Sequence, residues 1–355
     1  MHMPRNRFFL FLLAFVGLTL LGACHQKKTA NTTMIDKDQN IAKTKYKTTG
    51  TIERRHPDLN ALIAPEAKIE IIAEGFDWSE GPLWLPDQNQ LLFSDIPPNK
   101  IYSWSESKGI QLYLTPSGYT GQQPRGGEIG SNGLILDKQG QLVLCQHGDR
   151  RLARMAAPLN QPKPDFVTLT DNYQGQRLNS PNDAVYKSNG DLYFTDPPYG
   201  LEKNIDDPAK EIPFQGVYRL AANGTLHLLT KELSRPNGIA FSPDEKTLYV
   251  ANSDPNKAIW MAYTVRPDGN ITNGRVFYDA TPLVKKERGL PDGLKVNRQG
   301  YIFATGPGGV YIFDGQATHL GTIRPGEITS NCAFNADESV LYLTADNYIM
   351  RVKLK

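Results

Sequence analysis

Helical periodicity is almost absent from this chain. Apolar residues rarely recur every three or four positions; they gather in short runs broken by 31 Gly and 25 Pro. A helix-built fold is excluded, and an all-β sandwich, barrel or propeller is expected. Cysteine is scarce, with three in 355 residues. Two of them, Cys145 and Cys332, lie in apolar strand patterns in well-separated parts of the sequence. They read as free, buried thiols rather than a disulfide pair. No sign of charge dominates: the formal net charge is +2, and the basic residues are not bunched in the body. No nucleic-acid partner is expected. There is also no G-x-S-x-G elbow, so nothing announces a serine nucleophile.

The N-terminus is of a different kind. "MHMPRNR" is basic, and "FFLFLLAFVGLTLL" is apolar but short for a comfortable membrane span. Small residues then lead to a cysteine in "LGAC". Residues 1–24 are expected to be a lipoprotein signal peptide with Cys24 as its lipidation site. The plainer reading is a secretory signal with an incidental cysteine. The first reading predicts an exported protein, attached to the membrane of a bacterial envelope by its lipid anchor. In a Gram-negative cell that would be the periplasmic side of the outer membrane. Residues 25–60 are polar and unpatterned and read as a flexible tether, leaving 61–355 as the folded domain.

Within that domain one phrase returns. "EGPLWLPDQNQLLFSD" begins at Glu80, "NGLILDKQGQLVL" at Asn132 and "NDAVYKSNGDLYFTD" at Asn182. "NGIAFSPDEKTLYVAN" begins at Asn237, "DGLKVNRQGYIFAT" at Asp292 and "NCAFNADESVLYLTAD" at Asn331. Each copy is a polar residue, usually followed by a small one, then an apolar strand, a polar turn and a second strand. The spacing of roughly fifty residues fits four-stranded propeller blades. The last copy is one strand short, and a spare strand, "AKIEIIAEG", precedes the first. The sequence therefore predicts a six-bladed β-propeller in which this N-terminal strand closes the last blade and hides two edges.

In such a ring the first strand of each blade lines the central channel. The six opening residues share one phase and would converge at one end of it. Four amides and two carboxylates make a poor core but a good ligand set for a hard divalent cation. The competing reading is that Asn and Asp before Gly merely shape turns between blades. Glu80 does not fit that reading.

Several stretches carry a family resemblance: "WSEGPLW", "CQHGDRRLARM", "LNSPNDAVYKSNGDLYFTDPPYG", "RPNGIAFSPDEKTLYVANS", "LPDGLKV" and "SNCAFNADESVLYLTA". Together, across about residues 68–353, they resemble the SMP-30/gluconolactonase/LRE-like family of six-bladed propeller lactonases. The resemblance implies one divalent cation at the channel mouth, Ca2+ first, with Zn2+, Mg2+ or Mn2+ as alternatives. It implies Glu80, Asn237 and Asp292 as metal ligands, and Asn182 as a contact to metal, its water or substrate. It places His147 near the centre of the ring as a substrate contact. Arg150, Arg151 and Arg177 could meet substrate oxygens or form surface ion pairs, and Arg177 is taken as the substrate contact. Asp196 is expected to hold a turn, with a second ion as the alternative, and Asn132 and Asn331 to stand behind the ligands. The loops 116–131 and 202–215 are longer than the family pattern and are expected to shape the substrate.

The chemistry implied is metal-dependent hydrolysis of a carboxylic ester, here a small sugar-type lactone. Asp292 would be the base for the attacking water and Glu80 mainly a ligand. Two rivals stand beside it: a phosphotriesterase or arylesterase on the same metal site, and a non-catalytic binding propeller displayed on the envelope.

Overall fold

The computed structural model describes residues 45–355. Cys24 and most of the expected tether lie outside that range. Six antiparallel sheets follow one another along the chain, with a two-stranded hairpin between the second and third. Blade 1 opens with Ser79–Leu85, blade 2 with Ser131–Leu136 and blade 3 with Ala184–Tyr186. Blade 4 opens with Pro236–Phe241, blade 5 with Leu294–Val296 and blade 6 with Thr329–Phe334. Each blade then runs outward through consecutive neighbours, as in blade 4 through Thr247–Asp254, Lys257–Val265 and Ile271–Asp279. Blade 6 takes its fourth strand from the other end of the sequence: Ile69–Glu74 pairs with Tyr348–Lys353. The closure expected from the spare strand is the one observed.

The core is not one mass but six, each wedged between neighbouring blades. Leu92, Leu114, Leu134 and Leu144 fill the gap between blades 1 and 2. Trp260, Tyr311 and Phe313 fill that between blades 4 and 5, and Phe93, Trp104 and Tyr342 that between 6 and 1. Strand residues alternate between the two faces, so both faces of every sheet are apolar, and each is buried against its neighbour. Burying one such large side chain contributes about 1.5–3 kcal/mol. Cys145 belongs to the wedge between blades 2 and 3 and Cys332 to that between 5 and 6; both are free and buried.

The glycine of the repeated phrase has a packing reason. A Cβ on Gly238 would strike the carbonyl of Asp292, and one on Gly81 the carbonyl of Asn132. In blades 1, 2, 4 and 5 the glycine lets the first strand press against the opening residue of the next blade, which draws the opening residues together round the channel.

The tether prediction is corrected at its C-terminal end. Lys47–Thr49 adds a fifth strand to blade 6 by pairing with Ile69–Glu74, and Thr51–Arg54 adds one to blade 5 by pairing with His319–Arg324. Between them Gly50 takes φ +60° against the carbonyl of Arg324, where a Cβ would not fit. A short helix, Leu59–Leu62, follows, and Leu59 and Ile63 are fully buried in the wedge between blades 5 and 6. Arg54 donates to the carbonyls of Ile63 and Ala64. Residues 47–63 are thus a strap across two blade edges. It escaped notice because its strands are three and four residues long and its helix four, too short to show a period.

Candidate active site

Where the first strands begin, a cavity of about 540 Å3 opens. Glu80, Asn132, Asn182, Asn237 and Asp292 all line it. Five of the six in-phase residues therefore meet in one place. A groove of about 690 Å3 beside the outer strands of blades 2 and 3 is larger but brings none of the ring residues together. The walls of the smaller cavity add Trp78, Tyr199, Leu290 and Ile328, so a polar floor faces partly apolar sides.

The sixth residue, Asn331, stands behind Glu80. Its Nδ2 donates to Glu80 Oε2 at 3.1 Å, and its Oδ1 accepts from the Cys332 amide and from Lys295 Nζ at 3.3 Å. Lys295 also lies 3.6 Å from Asp183. A chain of Glu80, Asn331, Lys295 and Asp183, buried except at the partly exposed Lys295, thus runs behind the ring. Lys295 and Asp183 were missed from sequence. Asp183 is hidden beside Asn182 in "SPND", and Lys295 within a strand.

The electrostatics point one way. Burial pushes the Glu80 carboxyl up to about 7, against the amide of Gly81 and the Asn331 side chain, which favour its charge. Burial likewise holds Asp292 well above the usual carboxylate range, and the charges of Glu80, Glu128 and Asp183 raise it further. Acid groups outnumber cations here; Lys295, 3.6 Å from Asp183, is the nearby positive side chain among these causes. Other atoms are left open. Asn132 Oδ1 is buried with no hydrogen-bond partner. Asn237 spends its Nδ2 on Ser253 Oγ at 3.1 Å, which leaves its carbonyl oxygen for the cavity. Among the described residues no three His, Cys, Asp or Glu side chains form a ligand group by themselves. The donors here are two carboxylates mixed with amides, all through oxygen, which is the chemistry of a hard cation site.

The remaining candidates fall elsewhere. Arg177 does not reach the cavity. It is exposed on the hairpin between blades 2 and 3, with Nη2 on the Asp149 carbonyl at 3.0 Å. Arg150 is buried rather than a surface ion pair. Its guanidinium is spent on the carbonyls of Leu178, Asn179 and Ala209. Arg151 is tied to Gln146 and Asp149. His147 is wholly buried and is not part of the cavity wall; its Nδ1 lies 3.3 Å from Glu128 Oε2. Asp196 holds a turn: its two oxygens accept from the amides of Asn179 and Ser180, each at 2.8 Å. Glu128, which does line the cavity, sits in the long loop 116–131, where no repeat or period marks it.

A six-bladed propeller with an acid- and amide-lined cavity at one end of its channel is the class of protein that fold and site define. Residues 78–347 match the SMP-30/Gluconolactonase/LRE-like region, and the chain belongs to that family. It is 39% identical over 321 residues to a gluconolactonase of Zymomonas mobilis, covering 87% of each chain. Among solved structures it is similar to a gluconolactonase of Xanthomonas campestris, with 30% identity and a TM-score of 0.74, over 87% of this chain and 97% of that one. A calcium-binding regucalcin of Agrobacterium tumefaciens shares the fold at 18% identity and a TM-score of 0.61, over 80% and 94%.

Proposed function

We propose that this protein is a divalent-cation-dependent lactone hydrolase of the gluconolactonase type. The observation that carries the reading is the meeting of Glu80, Asn182, Asn237 and Asp292 in one cavity, where burial and neighbouring carboxylates hold Asp292 well above the usual carboxylate range. Likeness to gluconolactonases of two bacteria supports the substrate class.

Glu80, Asp292 and the amide oxygens of Asn182 and Asn237 would hold the cation, Ca2+ first. When bound it would supply Lewis-acid polarisation of the lactone carbonyl and make a water more acidic. Glu80, braced by Asn331, serves to bind and neutralise. Asp292 takes the proton of the attacking water as its oxygen bonds to the carbonyl carbon. The ring C–O bond then breaks, and the proton passes to the leaving alkoxide, giving the open hydroxy acid. Asn182 is placed to orient substrate or water. The aromatic and aliphatic walls exclude bulk water and strengthen every charge inside.

The test is activity against a lactone panel after exhaustive chelation. Turnover should vanish and return with a divalent ion. Full turnover by metal-free protein would remove the mechanism. The lipid anchor at Cys24 is a separate proposal, resting on the basic and apolar leader, "LGAC" and the polar stretch after it. Lipid labelling of the whole protein should be lost in Cys24→Ser.

A further inference from the structure

Glu128 is a third carboxylate on the cavity wall, and it comes from outside the repeat. Its loop is tied down rather than loose. Arg125 donates to the carbonyls of Gly148 and Gly200, the Gly126 amide donates to Glu202, and the His147 amide donates to the Gly130 carbonyl. Behind the carboxylate stands His147, with no exposed surface. Its Nδ1 is 3.3 Å from Glu128 Oε2, off the line of a well-directed hydrogen bond, and neither ring nitrogen has another partner among the described residues. A buried imidazole is costly to leave unpaired, so Glu128 is the group that gives this one a purpose. Facing the cavity are Trp78 and Tyr199, flat surfaces of the kind that pack on the C–H faces of a ring.

We infer that Glu128, oriented by His147, is a specificity-determining residue that accepts hydrogen bonds from the hydroxyl groups of a polyhydroxylated lactone. The inference rests on the lactonase reading and adds to it a residue that selects among lactones. The argument is one of donors and acceptors. An ionised carboxylate only accepts. The ester group of a lactone also only accepts, as do the oxygens of a phosphotriester. Neither can donate to Glu128, a part-exposed side chain (36%) that would lose water where the substrate lies against it and gain no partner there. A ring bearing hydroxyls can, through the carboxylate oxygen that His147 does not face. The same residue therefore rewards hydroxylated rings and penalises bare ones. His147 is a positioning residue, since it acts through Glu128.

The experiment compares the parent with Glu128→Ala, Glu128→Gln and His147→Gln. Each is assayed on a six-membered sugar lactone and on δ-valerolactone, the same ring without hydroxyls. The ratio of the two kcat/KM values should fall by at least about tenfold in Glu128→Ala. His147→Gln should lower the same ratio by less, mainly through KM. Calorimetric titration with Ca2+ should leave metal affinity within about threefold of the parent in each variant. An equal loss on both lactones, an unchanged ratio, or a metal affinity weakened more than about tenfold would each overturn the inference. If the parent opens no lactone, the lactonase reading fails by itself. The inference is then judged by calorimetric binding of 1,5-anhydroglucitol, a hydroxylated ring with no carbonyl. Binding by the parent that weakens at least about tenfold in Glu128→Ala supports it; no binding, or binding unaffected by the substitution, overturns it.

Discussion

Two sets of polar residues ring the same end of the channel, and they differ in how their oxygens are spent. One set stands at or near the ends of the second strands. Asp95 accepts from the amides of Asp77 and Trp78, Asp196 from those of Asn179 and Ser180, and Asn252 from that of Arg235. These side chains tie down the backbone leading into each first strand. The other set opens the first strands: Glu80, Asn132, Asn182, Asn237 and Asp292. They are the same residue types, about as deeply placed, yet apart from Glu80, which also accepts from the Gly81 amide and Asn331, their side chains meet in a cavity instead of on backbone amides. Residue type marks a position as polar. Only the partner, or the lack of one, says whether it builds the ring or works in it.

The sharpest way to break this contrast is Asp292→Asn. It keeps an oxygen of similar shape but removes the base, and turnover at saturating divalent ion should fall about 100- to 10,000-fold. If the variant keeps pace with the parent there, Asp292 is only a ligand. Next comes Asp196→Asn, the matching change in the satisfied set. One amide is left facing an NH2 group, so denaturant unfolding should show a loss of about 1–3 kcal/mol with divalent affinity unaltered. A drop in metal affinity would merge the two sets.

Glu80 gives a pH signature of smaller size. Its carboxyl is raised from 4.5 to about 7 in the fold by burial, so the folded state binds a proton that the unfolded chain has released. Chelated protein should therefore lose stability as pH rises from about 4.5 to about 7. Glu80→Gln should flatten that slope, and saturating divalent ion should abolish it in the parent. Thermal melts across this range, with and without chelator, make the check. Asn331→Ala should do least. Removing one donor from Glu80 should weaken divalent binding by about three- to tenfold in a titration.

Much of this was legible in the chain. The repeated phrase at 80, 132, 182, 237, 292 and 331 carried the blade count and the ring of residues at the channel end, because every copy opens a blade at the same phase. What it could not carry were groups placed by loops and by neighbours. Glu128 lies in a segment with no period, and His147 behind it looked like a ring residue in its own right. Arg177 is one of three arginines with no sequence mark to show which ones are spent on carbonyls. The strap over blades 5 and 6 is made of pieces too short for a pattern to accumulate, although Gly50 between its two strands is the turn signal that could have exposed it.

Blade 6 is written in two places in the chain, residues 69–74 and 329–353. This sets an order of assembly during synthesis. Blades 1 to 4 are each contiguous and can pair as they emerge, but Ile69–Glu74 must wait some 270 residues for its partner strand Tyr348–Lys353. Thr51–Arg54 waits for His319–Arg324 in the same way. Until then the nascent chain is an open arc with a bare apolar face at each end and unpaired strand edges, the state most prone to stick to its neighbours. Both bare ends of the arc are covered together, when Ile69–Glu74 takes its place beside Tyr348–Lys353 and shuts the ring.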